Sequence, residues 1–130
     1  MRRISAPLAA TVLLTGLAAA VPAHATAGLF CESRGKGPSL SLVITRGVPG
    51  GIFAATLEEP GREPRSTMGD DPPIVLAQAW IDERQIMVDI ADKDLTEFVA
   101  KLRARPSGEE RAVGTLEYGG RKFAVRCEGS

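Results

Sequence analysis

Three aspartates, Asp89, Asp92 and Asp94, stand close together, and hard oxygen ligands at such short spacing could hold Ca²⁺. The D-x-[DN]-x-[DN]-G loop is absent, however, and Asp94 fits better as a helix cap, so no metal ligand is assigned. Asp82 and Glu83 beside Trp80 have the residue types of a glycoside-cleaving carboxylate pair with an aromatic platform. Neighbouring residues on an extended chain point opposite ways, so Asp82-Glu83-Arg84 reads as a turn instead. Gly35 and Gly37 lack the G-x-x-x-x-G-K-[ST] pattern and do not form a phosphate loop. The single histidine is His24, inside a segment expected to be cleaved off. Its loss removes Ser-His and Cys-His nucleophile activation, histidine zinc sites and the easiest general base near neutral pH. No catalytic residue and no cofactor are assigned.

Binding chemistry has one better candidate. Glu58 to Pro73 is a long polar run without apolar periodicity, punctuated by Pro60, Pro64, Pro72 and Pro73. Long loops on rigid scaffolds concentrate binding residues. Arg62, Arg65, Ser66 and Asp70 supply charge and hydrogen bonding there, and Met68 is its apolar anchor.

Cys31 and Cys127 bracket almost the whole chain after its N-terminal leader. Residues 1–25 read as a secretory signal peptide: Arg2-Arg3, then an apolar run from Ala6 to Val21, then Ala23-His24-Ala25 as an A-x-A cleavage site. The apolar run is too short and too broken to span a bilayer. The expected product, 26–130, is one domain without a membrane anchor, periplasmic or secreted. Two cysteines in a small exported domain predict a Cys31–Cys127 disulfide. Closing a loop of roughly 100 residues contributes about 4–5 kcal/mol by chain entropy. Loss of Arg2 and Arg3 from the 16 basic side chains leaves 14 against 16 acidic ones. That balance gives no electrostatic reason to bind nucleic acid. The domain is expected to be a monomer.

The elements holding these residues are mainly strands, about seven in number and antiparallel, forming a small barrel or a strongly curved sheet. Leu29 and Cys31 share a face of the first. Leu40, Leu42 and Ile44 alternate with Ser39, Ser41, Val43 and Thr45, and Phe53, Ala55 and Leu57 alternate with Ala54, Thr56 and Glu58. Ile74 to Asp82 is apolar at both phases, which predicts a strand covered on both sides. Ile86, Val88 and Ile90 mark the next strand. Leu95, Phe98, Val99 and Leu102 follow i, i+3, i+4, i+7 spacing and predict one amphipathic helix over about 94–105, with Asp94 as N-cap and Glu97 completing a capping box. Gly119-Gly120 predicts a two-residue hairpin pairing Tyr118 with Arg121, Glu117 with Lys122 and Leu116 with Phe123.

The exported size, the run of antiparallel strands, the terminal cysteine pair and the ending Gly114-Thr115-Leu116-Glu117-Tyr118-Gly119-Gly120-Arg121-Lys122-Phe123 with Cys127 after it together resemble small exported bacterial β-barrel proteins, including the periplasmic lysozyme inhibitors. The resemblance is of layout. It implies a disulfide-closed barrel that binds another envelope or extracellular protein. Ser66-Thr67-Met68-Gly69 stands where those inhibitors have a Ser-Gly-x-x-Tyr-like loop, so no residue role is carried over. Three functions follow in order: a non-enzymatic binding or inhibitor-like module using the 58–73 loop, an envelope structural protein with no small-molecule site, and a carboxylate-based hydrolase.

Overall fold

The computed structural model describes residues 26–129, so the expected signal peptide lies outside the described residues. Nine strands form one antiparallel sheet: β1 (Ala27–Ser33), β2 (Ser39–Ile44), β3 (Ile52–Glu58), β4 (Arg65–Ser66), β5 (Ile74–Ile81), β6 (Ile86–Asp92), β7 (Phe98–Gly108), β8 (Arg111–Tyr118) and β9 (Arg121–Gly129). Their order is β4-β3-β2-β1-β9-β8-β7-β6-β5, a nearly closed barrel. The count exceeds the expected seven by two. One addition is the short β4 inside the polar loop. The other is β7, where a helix was expected.

The helix expectation fails because two periodicities overlap in the same residues. The helical pattern rests on Leu95 and Phe98 at i and i+3, which are 65% and 56% exposed. The run Ala100-Lys101-Leu102-Arg103-Ala104-Arg105 also alternates strictly, with Ala100, Leu102 and Ala104 buried and the cations outward. Two strand edges pair with this run, β8 along all of it and β6 as far as Ala104, whereas a twelve-residue helix is marginal alone. Asp94 caps nothing. Asp92 organises the preceding turn, accepting from the N–H groups of Thr96 at 2.7 Å and Glu97 at 3.1 Å.

Cys31 and Cys127 sit directly opposite each other on β1 and β9, joined by a disulfide with Cα atoms 3.9 Å apart. The covalent bond therefore clasps the first strand to the last. The C-terminal hairpin has the expected register throughout. Inside, Leu40, Leu42, Leu57, Ile74, Val88, Ile90, Leu102 and Leu116 surround the disulfide and are almost wholly buried. The interior is thus filled with side chains.

Bulges bend the sheet into closure. In β3 the register jumps from Val43–Ala54 to Ile44–Ile52, leaving Phe53 unpaired. Ile52 takes the inner position and Phe53 turns out, 53% exposed, contrary to the alternation expected for it. In β5 the extra residue is Ala77, between Leu76–Ile90 and Gln78–Asp89. The bulge switches the inner set from Ile74 and Leu76 to Ala79 and Ile81. This phase switch, not cover on both faces, makes the strand apolar at both phases; Trp80 is 46% exposed on the outside. The seam between β3 and β5 is spanned by a 3-10 turn, Pro49–Gly51. Gly50 has φ 79°, and a Cβ there would stand 2.3 Å from the Ala79 carbonyl oxygen, so only glycine lets the turn lie against β5.

Candidate functional site

The polar loop splits into two parts with different work. Its first half seals one mouth of the barrel. Glu59, at the end of β3, is largely shielded. Arg65 stands opposite Leu57 and so faces inward, donating from Nη2 to Glu59 Oε1. Arg62 Nη1 lies 3.4 Å from both carboxylate oxygens. Tyr118, pointing into the same mouth from β8, brings its hydroxyl beside this carboxylate. Burial alone would lift the Glu59 carboxyl. Hydrogen bonding from Tyr118 and Arg65, with the charges of Arg65 and Arg62, outweighs it and holds the group below its usual range. The same burial and the neighbouring Glu59 push the Tyr118 hydroxyl up. Two of the five expected binding residues, Arg62 and Arg65, are therefore engaged within the molecule.

The second half is stitched to the sheet and presented outward. Thr67 N–H donates to the Ala55 carbonyl at 2.9 Å, and Ala55 N–H donates to Thr67 Oγ1 at 3.0 Å. This continues the β3–β4 ladder by one side-chain step. Ser66 Oγ accepts from Met68 N–H at 3.1 Å, fixing the next residue. Met68 is then 54% exposed. With Phe53, Val43 and Val48 it lines an outer depression of about 500 Å³ between β2, β3 and the loop. Asp70 follows in the exposed turn toward Pro72-Pro73 and is not part of the depression.

Phe53 is the residue that sequence reasoning missed. The signal was the adjacent pair Ile52-Phe53 right after a Gly-rich turn. Two neighbouring apolar residues cannot both face inward unless the strand is bulged there.

Of the carboxylates weighed for chemistry, Asp82, Asp89 and Asp92 have structural partners. Asp82 Oδ1 accepts from the N–H groups of Arg84 at 2.8 Å and Gln85 at 2.9 Å, while Oδ2 accepts from Trp80 Nε1 at 2.8 Å. The Trp80 bond and these two backbone bonds hold Asp82 below the usual carboxylate range. Asp92 is held low in the same way by Thr96 and the backbone of its turn. Asp89 lies on the outer face of β6 with Arg103 Nη1 2.8 Å from Oδ1. Asp89, Asp92 and Asp94 do not converge, and among the described residues no group of three metal-type ligands does. The unplugged mouth, lined by Leu29, Ile44, Ile81, Ile86 and Ala112, holds only about 210 Å³ of mostly apolar space, below the usual range for a small-molecule site.

Among the described residues, no helix is long and apolar enough to cross a membrane. The disulfide fits an oxidising, extracytoplasmic compartment. Comparison with protein-family models, with curated proteins and with solved structures finds no match for this chain.

Proposed function

We propose that the chain is a non-enzymatic binding module of the periplasm or extracellular medium that grips a partner protein through the Phe53–Met68 depression. The observation that carries this reading is the way Met68 is held. A residue in an idle connector has no need of Thr67 bonded to β3 through both its backbone and its hydroxyl. That stitching lowers the entropy lost when Met68 is immobilised by a partner. An aromatic and a thioether side by side are also the residue types enriched at the centres of protein interfaces.

The test uses point variants. Replacing the whole of 59–71 with a linker would remove β4 and the Glu59–Arg65 pair and would report on folding. Phe53→Ser and Met68→Ser leave those bonds intact. A photo-crosslinking side chain placed at Met68 in the exporting cell should capture one discrete protein, and that protein should co-purify with wild type but not with Phe53→Ser. Crosslinks to many proteins without preference, or equal recovery with the variant, would refute the reading. Self-association through the same face is distinguished by the mass of the crosslinked product, which would then be twice that of the chain.

A further inference from the structure

On the outer face of β7, β8 and β9, far around the barrel from Met68 in strand order, four arginines frame a groove of about 510 Å³. The register places them roughly at the corners of a rectangle, with Arg34 one strand beyond β9. One row runs Arg105–Val113–Arg126 across the three strands. The next runs Arg103–Thr115–Ala124 and ends at Arg34, whose N–H bonds the Ala124 carbonyl at 3.0 Å. Rows two residues apart are separated by about 7 Å, and β7 and β9 by about 10 Å. Small side chains form the floor and long cations the rim, so the groove stays open between them.

Arg103 is held in place. Its Nη1 donates to the Leu102 carbonyl at 2.8 Å and lies equally close to the buried Asp89 carboxylate. Arg34, Arg105 and Arg126 form no ion pair among the described residues. Glu32 stands opposite Arg126 on β1, and Glu117 occupies the following row between Lys101 and Lys122. Three unpaired guanidinium groups on a chain whose exported part is expected to be net acidic make this face a local exception to the overall charge.

We infer that this groove binds an anionic polysaccharide, a chain bearing carboxylate or sulfate groups at intervals. Guanidinium forks recognise such oxyanions bidentately, and four spread over this rectangle suit a ligand with repeated charges better than one compact ion. The floor is Val113, Thr115 and Ala124, with no aromatic on which a nucleobase could stack. The exposed apolar side chain of that floor is Val113, a residue type under-represented among the anchors of protein interfaces. Hydroxyl-rich ligands with regular charge fit what remains. This site is independent of the protein-binding face proposed above.

The experiment is calorimetric titration of the disulfide-intact full chain with polygalacturonate and with dextran sulfate, against neutral dextran, polyglutamate and duplex DNA. Binding to one or both anionic polysaccharides is expected, weakening by roughly one to two orders of magnitude between 50 and 200 mM NaCl as counterions are released. Arg105→Thr/Arg126→Thr should lose at least tenfold in affinity. Arg46→Thr, which removes one charge in the turn after β2 as Arg34→Ser does beside the groove, should bind like wild type. Threonine keeps strand propensity, and Arg34→Ser gives a second variant outside the regular strands should the double variant fail to fold. No binding, equal binding of neutral dextran, equal loss with Arg46→Thr, or affinity for polyglutamate or DNA matching that for the polysaccharides would overturn the inference.

Discussion

Glu59 shows how one side chain can belong to stability instead of to a binding surface. It sits where β3 ends, with Arg65, Arg62 and Tyr118 gathered around it. Because its folded-state pKa is depressed, the stability it contributes is fully present above the ordinary glutamate pKa and is lost as pH falls through the folded value. Glu59→Gln should therefore lower stability by about 1–3 kcal/mol near pH 7. The difference from wild type should shrink toward zero in strongly acidic buffer, as read by urea unfolding over a pH series. A gap that stays constant with pH would mean the charge is not what matters. Leu95 carries the opposite message. It holds φ 57° at 65% exposure, a left-handed conformation that costs a branched residue about 1–2 kcal/mol. Leu95→Asn should raise the melting temperature by a few degrees.

At the scale of elements, β7 decides the fold. A helix over 94–105 would bury Leu95, Phe98, Val99 and Leu102, whereas the strand buries Ala100, Leu102 and Ala104. The two arrangements make different demands on the same residues. Ala104→Asp places a charge beside Gly114, where the β7 and β8 backbones approach so closely that a Cβ would stand 2.0 Å from the Arg103 carbonyl oxygen. It should cost more than about 3 kcal/mol in urea unfolding. Phe98→Ser should cost under about 1 kcal/mol, since its ring packs chiefly beneath the Lys101 ammonium, 4.4 Å away. Near-equal losses would contradict the strand. The turn before β3 is equally specific. Gly50→Ala should cost more than about 2 kcal/mol, because both its positive φ and the Ala79 carbonyl forbid a side chain.

These elements also show what a sequence carries and what it hides. The hairpin around Gly119-Gly120, the inner faces of β1, β2 and β6, and the cysteine clasp were legible because each rests on a local rule or a unique pairing. Phe53, Ala77 and β7 were not. A bulge shifts the phase of a strand according to the register of its neighbour, and that register exists only after the sheet forms. The strand state of β7 likewise comes from two edges supplied by β6 and β8. Arg62 and Arg65 looked like ligand residues although their ion partner Glu59 is near in sequence, because the mouth in which all three meet is completed by Tyr118, more than fifty positions away. Met68 was legible as the apolar side chain of the loop, but its neighbours in the depression on β2 and β3 were not.

At the largest scale, the described residues form a filled, nearly closed barrel whose first and last strands are clasped by the disulfide. Cys31→Ala/Cys127→Ala removes the strap between first and last strands and leaves a small void in a dry core. It should cost about 2–5 kcal/mol in urea unfolding. If the double variant unfolds at the same urea concentration as wild type, closure owes nothing to the clasp. The binding claim is tested most directly by the affinity of the partner captured at Met68, compared by surface plasmon resonance between wild type and Phe53→Ser/Met68→Ser. The account predicts at least a hundredfold weaker binding with an unchanged melting temperature. Equal affinity in the two proteins would contradict it.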